Sequence, residues 1–278
     1  MLQKRIFLLT LCLGFLFFSV PSAAQIRPGA KQAALSQSDI AAPCDVFSIY
    51  FNPAGSKLFH TPQLSFYYAP APYGLTELKQ FGVHGLLPFN DSFTMSAGIY
   101  NYGFKLYHET HALFNISHNP HRSVLLGLNV TAQNLSIERY GNSFALRIDA
   151  GAIFLLSKTI TIGLAGTNIT GSEYSDSENS IPRILRTGIS YQPLSLIRIN
   201  AVIEAETNFE PAIKIGSVIK PHENFSVRSG YNTLNKEISA GLSVYFAGVS
   251  FDYGFTYHRY LGASHFTGVS LPDVTSFF

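Results

Sequence analysis

Apolar and polar residues alternate along this chain in short segments, and that period of two constrains the fold more than any other feature. The clearest run is Glu237 to Phe246. Ile238, Ala240, Leu242, Val244 and Phe246 take one parity, and Glu237, Ser239, Gly241, Ser243 and Tyr245 the other. Side chains of a strand point alternately to opposite faces, so this segment has one apolar and one polar face. The pattern recurs from Gln25 onward behind an export-type leader, with no long apolar helix between. Lipid outside and polar groups inside is the arrangement of an all-β, antiparallel transmembrane outer-membrane β-barrel.

The leader carries Lys4 and Arg5, then the apolar run Ile6 to Val20, then Pro21-Ser22-Ala23-Ala24. A positive start, an apolar core and small residues at the cut site define a secretory signal, with cleavage expected after Ala24. Four segments follow: 1–24 as signal peptide, 25–62 as an N-terminal periplasmic or lumen segment, 63–271 as the barrel and 272–278 as a tail. Once Cys12 leaves with the signal, Cys44 stands alone and no internal disulfide can form. A small buried residue is the expected role for Cys44. With 19 basic against 17 acidic residues, the chain has no basic footprint for nucleic acid.

The alternation gives fourteen strands: 63–69, 78–89, 92–106, 109–118, 123–138, 143–156, 159–169, 183–192, 197–207, 212–220, 225–232, 237–246, 249–259 and 265–271. An even count is what a single-chain bacterial barrel requires. Connections after the even strands are tight: Asn90-Asp91, Asn119 to Arg122, Ser157-Lys158, Pro193 to Ser195, Pro221 to Glu223 and Ala247-Gly248. Those after odd strands tend to be longer, and the longest, Thr170 to Pro182, carries Glu173, Asp176 and Glu178. Short periplasmic turns and longer outer loops are the habit of such barrels, so the N-terminus is placed in the periplasm.

Parity then sorts the charges. A charge on the lipid face at mid-membrane costs about 2–4 kcal/mol, so the strand charges belong in the lumen. They are Arg147, Arg186, Arg198, Lys214 and Arg228 against Asp149, Glu204, Glu206, Glu237 and Asp252. The signs balance, which points to ion pairs across the lumen, in a narrow or plugged interior, in place of an ion-selective constriction. With 23 Phe, 15 Tyr and no Trp, an interfacial girdle is built from Tyr and Phe.

The most specific short motif lies before the first strand: Asp45, then Phe51-Asn52-Pro53-Ala54-Gly55. Asn-Pro followed by Gly specifies a turn, read here as structural, with a plug or gate as the alternative. At the other end, Leu261-Gly262-Ala263-Ser264-His265-Phe266 leads into Gly268-Val269-Ser270-Leu271. Together these resemble the PorV/PorQ family of outer-membrane proteins, related in fold to the FadL fatty-acid transporters. Ala33-Ala34-Leu35-Ser36 departs from that family's Gly-rich stretch, and the chain runs on past its last strand to Phe278. The resemblance implies a non-enzymatic accessory of protein secretion and surface attachment, of type IX kind, binding secretion-system or secreted protein partners through outer loops and rim. The alternative is a FadL-like carrier of hydrophobic small molecules, with Gly163, Gly188 or Gly254 permitting a strand kink.

Chemistry is the weakest reading. His108-Glu109-Thr110-His111 is not His-Glu-x-x-His, and period two sends the two histidines to opposite faces. His118 and His121 flank a turn. Ser264, His265, His258 and Asp252 are the residues an outer-membrane lipid-modifying enzyme would use, but no Gly-x-Ser-x-Gly element accompanies them. Glu204 and Glu206 share a face with Arg198 and are expected to pair with it. No catalytic, cofactor or metal residue is assigned.

Overall fold

A computed structural model describes residues 28–175, 181–207 and 209–274. The leader, Asp176, Glu178 and the last four residues of the tail lie outside the described residues. The chain opens with a short helix α1 (Ala30–Ala34) and two 3-10 turns, Val46–Tyr50 and Pro53–Leu58. Fourteen strands follow: β1 (Gln63–Ala69), β2 (Gln80–Pro88), β3 (Phe93–Phe104), β4 (Tyr107–His121), β5 (Val124–Ile137), β6 (Gly141–Leu155) and β7 (Ile160–Thr167), then β8 (Ile184–Leu194), β9 (Ile197–Glu206), β10 (Ala212–His222), β11 (Phe225–Asn232), β12 (Glu237–Phe246), β13 (Val249–His258) and β14 (Gly262–Leu271). Every strand pairs antiparallel with its sequence neighbours, and β1 closes on β14 from Leu64 opposite Leu271 to Tyr68 opposite Thr267.

Burial is inverted relative to a water-soluble fold. Phe66, Phe114, Val130 and Ile199 are exposed, while their strand neighbours Ser65, Asn115, Asn129 and Asn200 are buried. Apolar residues outside and polar ones inside make this an outer-membrane-type barrel. Among the described residues no helix is long and apolar enough to cross a membrane. The strands do that work.

Three short hairpins differ from the sequence reading. The β4–β5 ladder runs on to His121 opposite Val124, β8–β9 to Leu194 opposite Ile197, and β10–β11 to His222 opposite Phe225. Each has a register shift just before its end, spanning Asn119-Pro120, Gln192-Pro193 and Lys220-Pro221. Proline has no N–H for the ladder, so the strand bulges around it and then resumes pairing. The prolines therefore mark bulges and not turns, and the connections shrink to 122–123, 195–196 and 223–224. Likewise β14 begins at Gly262, three residues before His265, because Ala263 and Ser264 still pair with Tyr257 and Thr256.

Residues Gly29 to Lys57 lie inside the barrel as a plug, most of them buried. Room for its backbone comes from glycines directly opposite each other on adjacent strands: Gly127 with Gly151, Gly163 with Gly188, Gly216 with Gly230 and Gly241 with Gly254. A Cβ at Gly127 would overlap Pro53 and Ala54, at Gly163 Ile40 and Ala41, and at Gly254 the Ala30 carbonyl. Gly163, Gly188 and Gly254 thus admit the plug, where the sequence reading gave them a strand kink.

Candidate functional site

The plug holds its own shape through one polar knot. The Gln32 amide donates to Asp45 Oδ1 at 2.8 Å, Ser48 Oγ at 2.9 Å and Asp39 Oδ2 at 3.2 Å, and Ser48 Oγ donates to Asp39 at 2.5 Å. Burial pushes the Asp39 carboxyl above the ordinary carboxylate range; the Ser48 hydrogen bond opposes this and the Asp45 charge adds to it. Asp45 also caps the first 3-10 turn by accepting from Phe47 N at 3.0 Å.

The Asn-Pro-Ala-Gly motif fastens this knot to the wall. Asn52 caps the second 3-10 turn through Ala54 N at 3.1 Å, while its amide donates to Ile40 O at 2.7 Å and to Ala152 O of β6 at 3.2 Å. Pro53, at the first position of the turn, lends its carbonyl to the Asn115 amide of β4 at 2.9 Å. Gly55 lies where a Cβ would meet Pro43 Cγ at 2.6 Å. From β5, Asn129 Nδ2 donates to Ile49 O at 3.0 Å, and Ser56 Oγ of the plug donates to Asn115 Oδ1 at 2.6 Å and hydrogen-bonds the Ser117 hydroxyl at 2.6 Å. Asp45, Asn52, Pro53 and Ala54 are buried in these contacts.

The strand charges point inward, and the ion pairs seen among the described residues run to strand neighbours and to the plug. Arg147 meets Asp149 two residues along β6, at 2.9 and 3.1 Å. Arg186 and Lys214 share Glu204 at 2.6 and 2.7 Å, and Lys214 Nζ also donates to Gln37 of the plug at 2.9 Å. Asp252 takes Lys31 of α1 at 3.2 Å. Glu237 is buried and Glu206 half-buried on the same inner face. Arg198 donates to Cys44 Sγ at 2.9 Å and not to Glu204 or Glu206; Arg228 NH1 donates to Ser243 Oγ at 2.6 Å. A lumen filled by polypeptide leaves no open span for ion pairs to bridge.

One sector of the lumen is aromatic, and the sequence reading missed it. Phe47 and Tyr50 of the plug face Tyr67, His84, Tyr100 and Phe266 of β1, β2, β3 and β14, with ring centroids 5.5–6.3 Å apart where they meet. Tyr67 and Tyr100 stack at 6.4 Å across Gly82, which stands between them in the ladder with no side chain to part the rings. Tyr67 also stacks on Phe266 at 6.2 Å. Val46, Ile49, Leu86 and Leu113 complete this core. Within it the hydroxyls of Tyr50 and Tyr100 are buried without hydrogen-bond partners. The available signal was Tyr100 sharing the parity of Thr94 and Ser96, and Tyr67 that of Ser65.

The remaining sequence candidates do not converge. His111 is buried on the inner face against Glu109 at 3.1 Å, with the Tyr107 hydroxyl on the same carboxylate. Ser264 faces inward and accepts from Tyr73 N at 2.8 Å, whereas His265 faces outward and bonds the Tyr253 hydroxyl at 2.6 Å. The His258 ring accepts from Tyr260 N and Leu261 N in the β13–β14 turn.

Fold and lumen segment together define a plugged outer-membrane β-barrel. No protein-family model and no curated protein sequence matches the chain. Among solved structures it is similar to the CymD monoaromatic hydrocarbon channel, with TM-score 0.66 at 10% identity over 87% of this chain and 96% of that one. The toluene transporter TbuX of Ralstonia pickettii gives 0.64 at 12% identity over 91% and 98%, and a FadL homologue of Pseudomonas aeruginosa 0.65 at 10% over 87% and 97%. At such identities the likeness is one of fold: the chain shares the closed barrel architecture of these structures.

Proposed function

We propose that this chain is a non-enzymatic outer-membrane carrier for small hydrophobic molecules, with the aromatic sector between plug and wall as its receiving surface. The observation that carries this reading is that sector: a buried aromatic core, half plug and half wall, larger than the two other apolar clusters, around Ile40 and around Ala54, among the described residues. An apolar solute gains free energy by leaving water for such a surface, roughly 25 cal/mol per Å² covered. The plug occupies the lumen against its paired glycines, and a polar solute has no comparable gain at an apolar surface. The channel and transporter structures of the same fold support the reading.

The secretion-accessory reading rests on the Asp45 and Asn52-to-Gly55 motif. Those residues serve plug-to-wall contacts, which leaves partner binding to the outer loops and rim. The deciding experiment is uptake into proteoliposomes of toluene against glucose. Faster entry of toluene than in protein-free vesicles, reduced by Tyr100→Ala, supports the carrier. Equal entry with and without protein sinks it.

A further inference from the structure

We propose that Arg198, Lys220 and Arg228 form a binding site for an oxyanion, a phosphate or a carboxylate, at the short-hairpin end of the lumen beside the Cys44 thiol. The ladder sets the geometry. Arg198 of β9 and Arg228 of β11 both stand opposite Val218 of β10, so the two arginines share one row, two strands apart. Adjacent strands lie about 4.8 Å apart, which puts their Cα atoms roughly 10 Å from each other. Lys220 enters the proline bulge two residues further towards the opening, its N–H held by Leu196 O at 2.8 Å. The charged and titratable groups that face its ammonium are Arg198, Arg228, Lys31 and the Cys44 thiol.

This trio differs from the paired cations of the lumen, and from Lys57 of the plug, whose ammonium donates to Asn90 O at 3.3 Å and Thr94 Oγ1 at 3.5 Å. Lys31, Arg147, Arg186 and Lys214 each have a carboxylate within 3.5 Å. Among the described residues, Arg198, Lys220 and Arg228 have none within 4.0 Å. Asp39, which feels the Arg198 charge, is held by Gln32 and Ser48, and Asp252, bonded to the same Ser243 as Arg228, is already occupied by Lys31, Ser243, Ser250 and Ser270. The Nε–H groups of both arginines are buried and unpartnered. So are both amide atoms of Asn200, fully buried at the next inward position up β9 from Arg198. Three cations gathered with no carboxylate in contact repel one another, and an arginine fork matches the oxygens of phosphate or carboxylate. An anion seated there removes the repulsion and supplies the missing acceptors. Lys220 is exposed, so the site opens to solvent.

Isothermal titration of the full-length folded protein in detergent, with inorganic phosphate and acetate at ionic strength fixed by chloride, tests this directly. Saturable binding, weakened by about tenfold in Lys220→Ala and Arg228→Gln, is expected from the loss of one charge-assisted contact each. Lys158→Ala, on the β6–β7 hairpin of the same end, should bind unchanged. A parallel arm measures co-purified phosphatidylglycerol against phosphatidylcholine. Enrichment that falls in Lys220→Ala, with no binding of free phosphate, assigns the site to a lipid headgroup. Because a variant can fail to fold, the wild-type protein gives a second readout: a bound anion should slow alkylation of Cys44 by iodoacetamide. Absence of any anion-specific binding in both arms, binding undiminished in Lys220→Ala, or an unchanged alkylation rate at saturating anion would overturn the proposal.

Discussion

Lys31 and Asp252 lie 3.2 Å apart with both side chains buried, and this pair joins α1 of the plug to β13 of the wall. Asp252→Asn removes the charge and keeps the volume. Lys31 retains Asp45 at 3.5 Å, so the cost should be about 2–3 kcal/mol, less than the roughly 3–5 of a wholly orphaned buried ion. Cys44, the free cysteine of the described residues, reports on the plug. Its alkylation should be faster in Asp252→Asn, and an unchanged rate would show that the pair does not hold the plug.

Gly127→Ala should unseat the plug where Pro53 and Ala54 meet β5, because the new methyl overlaps their backbone. Gly85→Ala is the control, since its nearest neighbour would be Leu64 at 3.8 Å. Planar-bilayer recording should find higher ion conductance for Gly127→Ala and wild-type behaviour for Gly85→Ala. Closed barrels in both would mean that the plug shifts to accommodate the methyl.

Asp39 makes stability depend on pH in a defined direction. Its folded-state pKa is raised above the unfolded value, so its contribution is fully present below the unfolded pKa and lost as pH rises through the folded one. Asp39→Asn removes that titration while keeping acceptor and donor atoms. The variant's thermal midpoint should gain on wild type as pH rises from about 4 to about 7. A difference that is flat or shrinks over this range contradicts the assignment.

The buried hydroxyl of Tyr100 has no partner, so Tyr100→Phe deletes an unsatisfied polar group and leaves the ring in place. We expect stabilisation of about 1–3 kcal/mol in urea unfolding, with the aromatic core intact. Destabilisation would reveal that the hydroxyl is hydrogen-bonded in solution.

Much of the wall was legible because lipid and lumen impose opposite demands on alternate residues. Phe144 to Phe154 against Arg147 and Asp149 shows how a single strand declares both faces. Prolines misled, since Pro120, Pro193 and Pro221 look like turns in sequence and a bulge that resumes pairing leaves no local trace. The aromatic sector was hidden for a different reason. Tyr67, Tyr100 and Phe266 are isolated apolar residues on polar faces, and their purpose appears only when Phe47 and Tyr50, distant in sequence, are laid against them. Pairing of the charges failed likewise. Balance of sign was correct, but which partner each group chooses depends on a plug whose path the period of two does not encode.

The opposed glycines carry a consequence for assembly. The plug touches strands from both ends of the sheet, with α1 against β11 to β14 and the 3-10 turns against β1 to β6. It is also made before any strand. A wall wound about a core already in place, as a coil on a mandrel, would leave the β1–β14 seam as its last join. Supplying residues 28–58 as a separate peptide to a barrel closed without them should therefore fail to restore Cys44 protection, whereas refolding both pieces together should succeed.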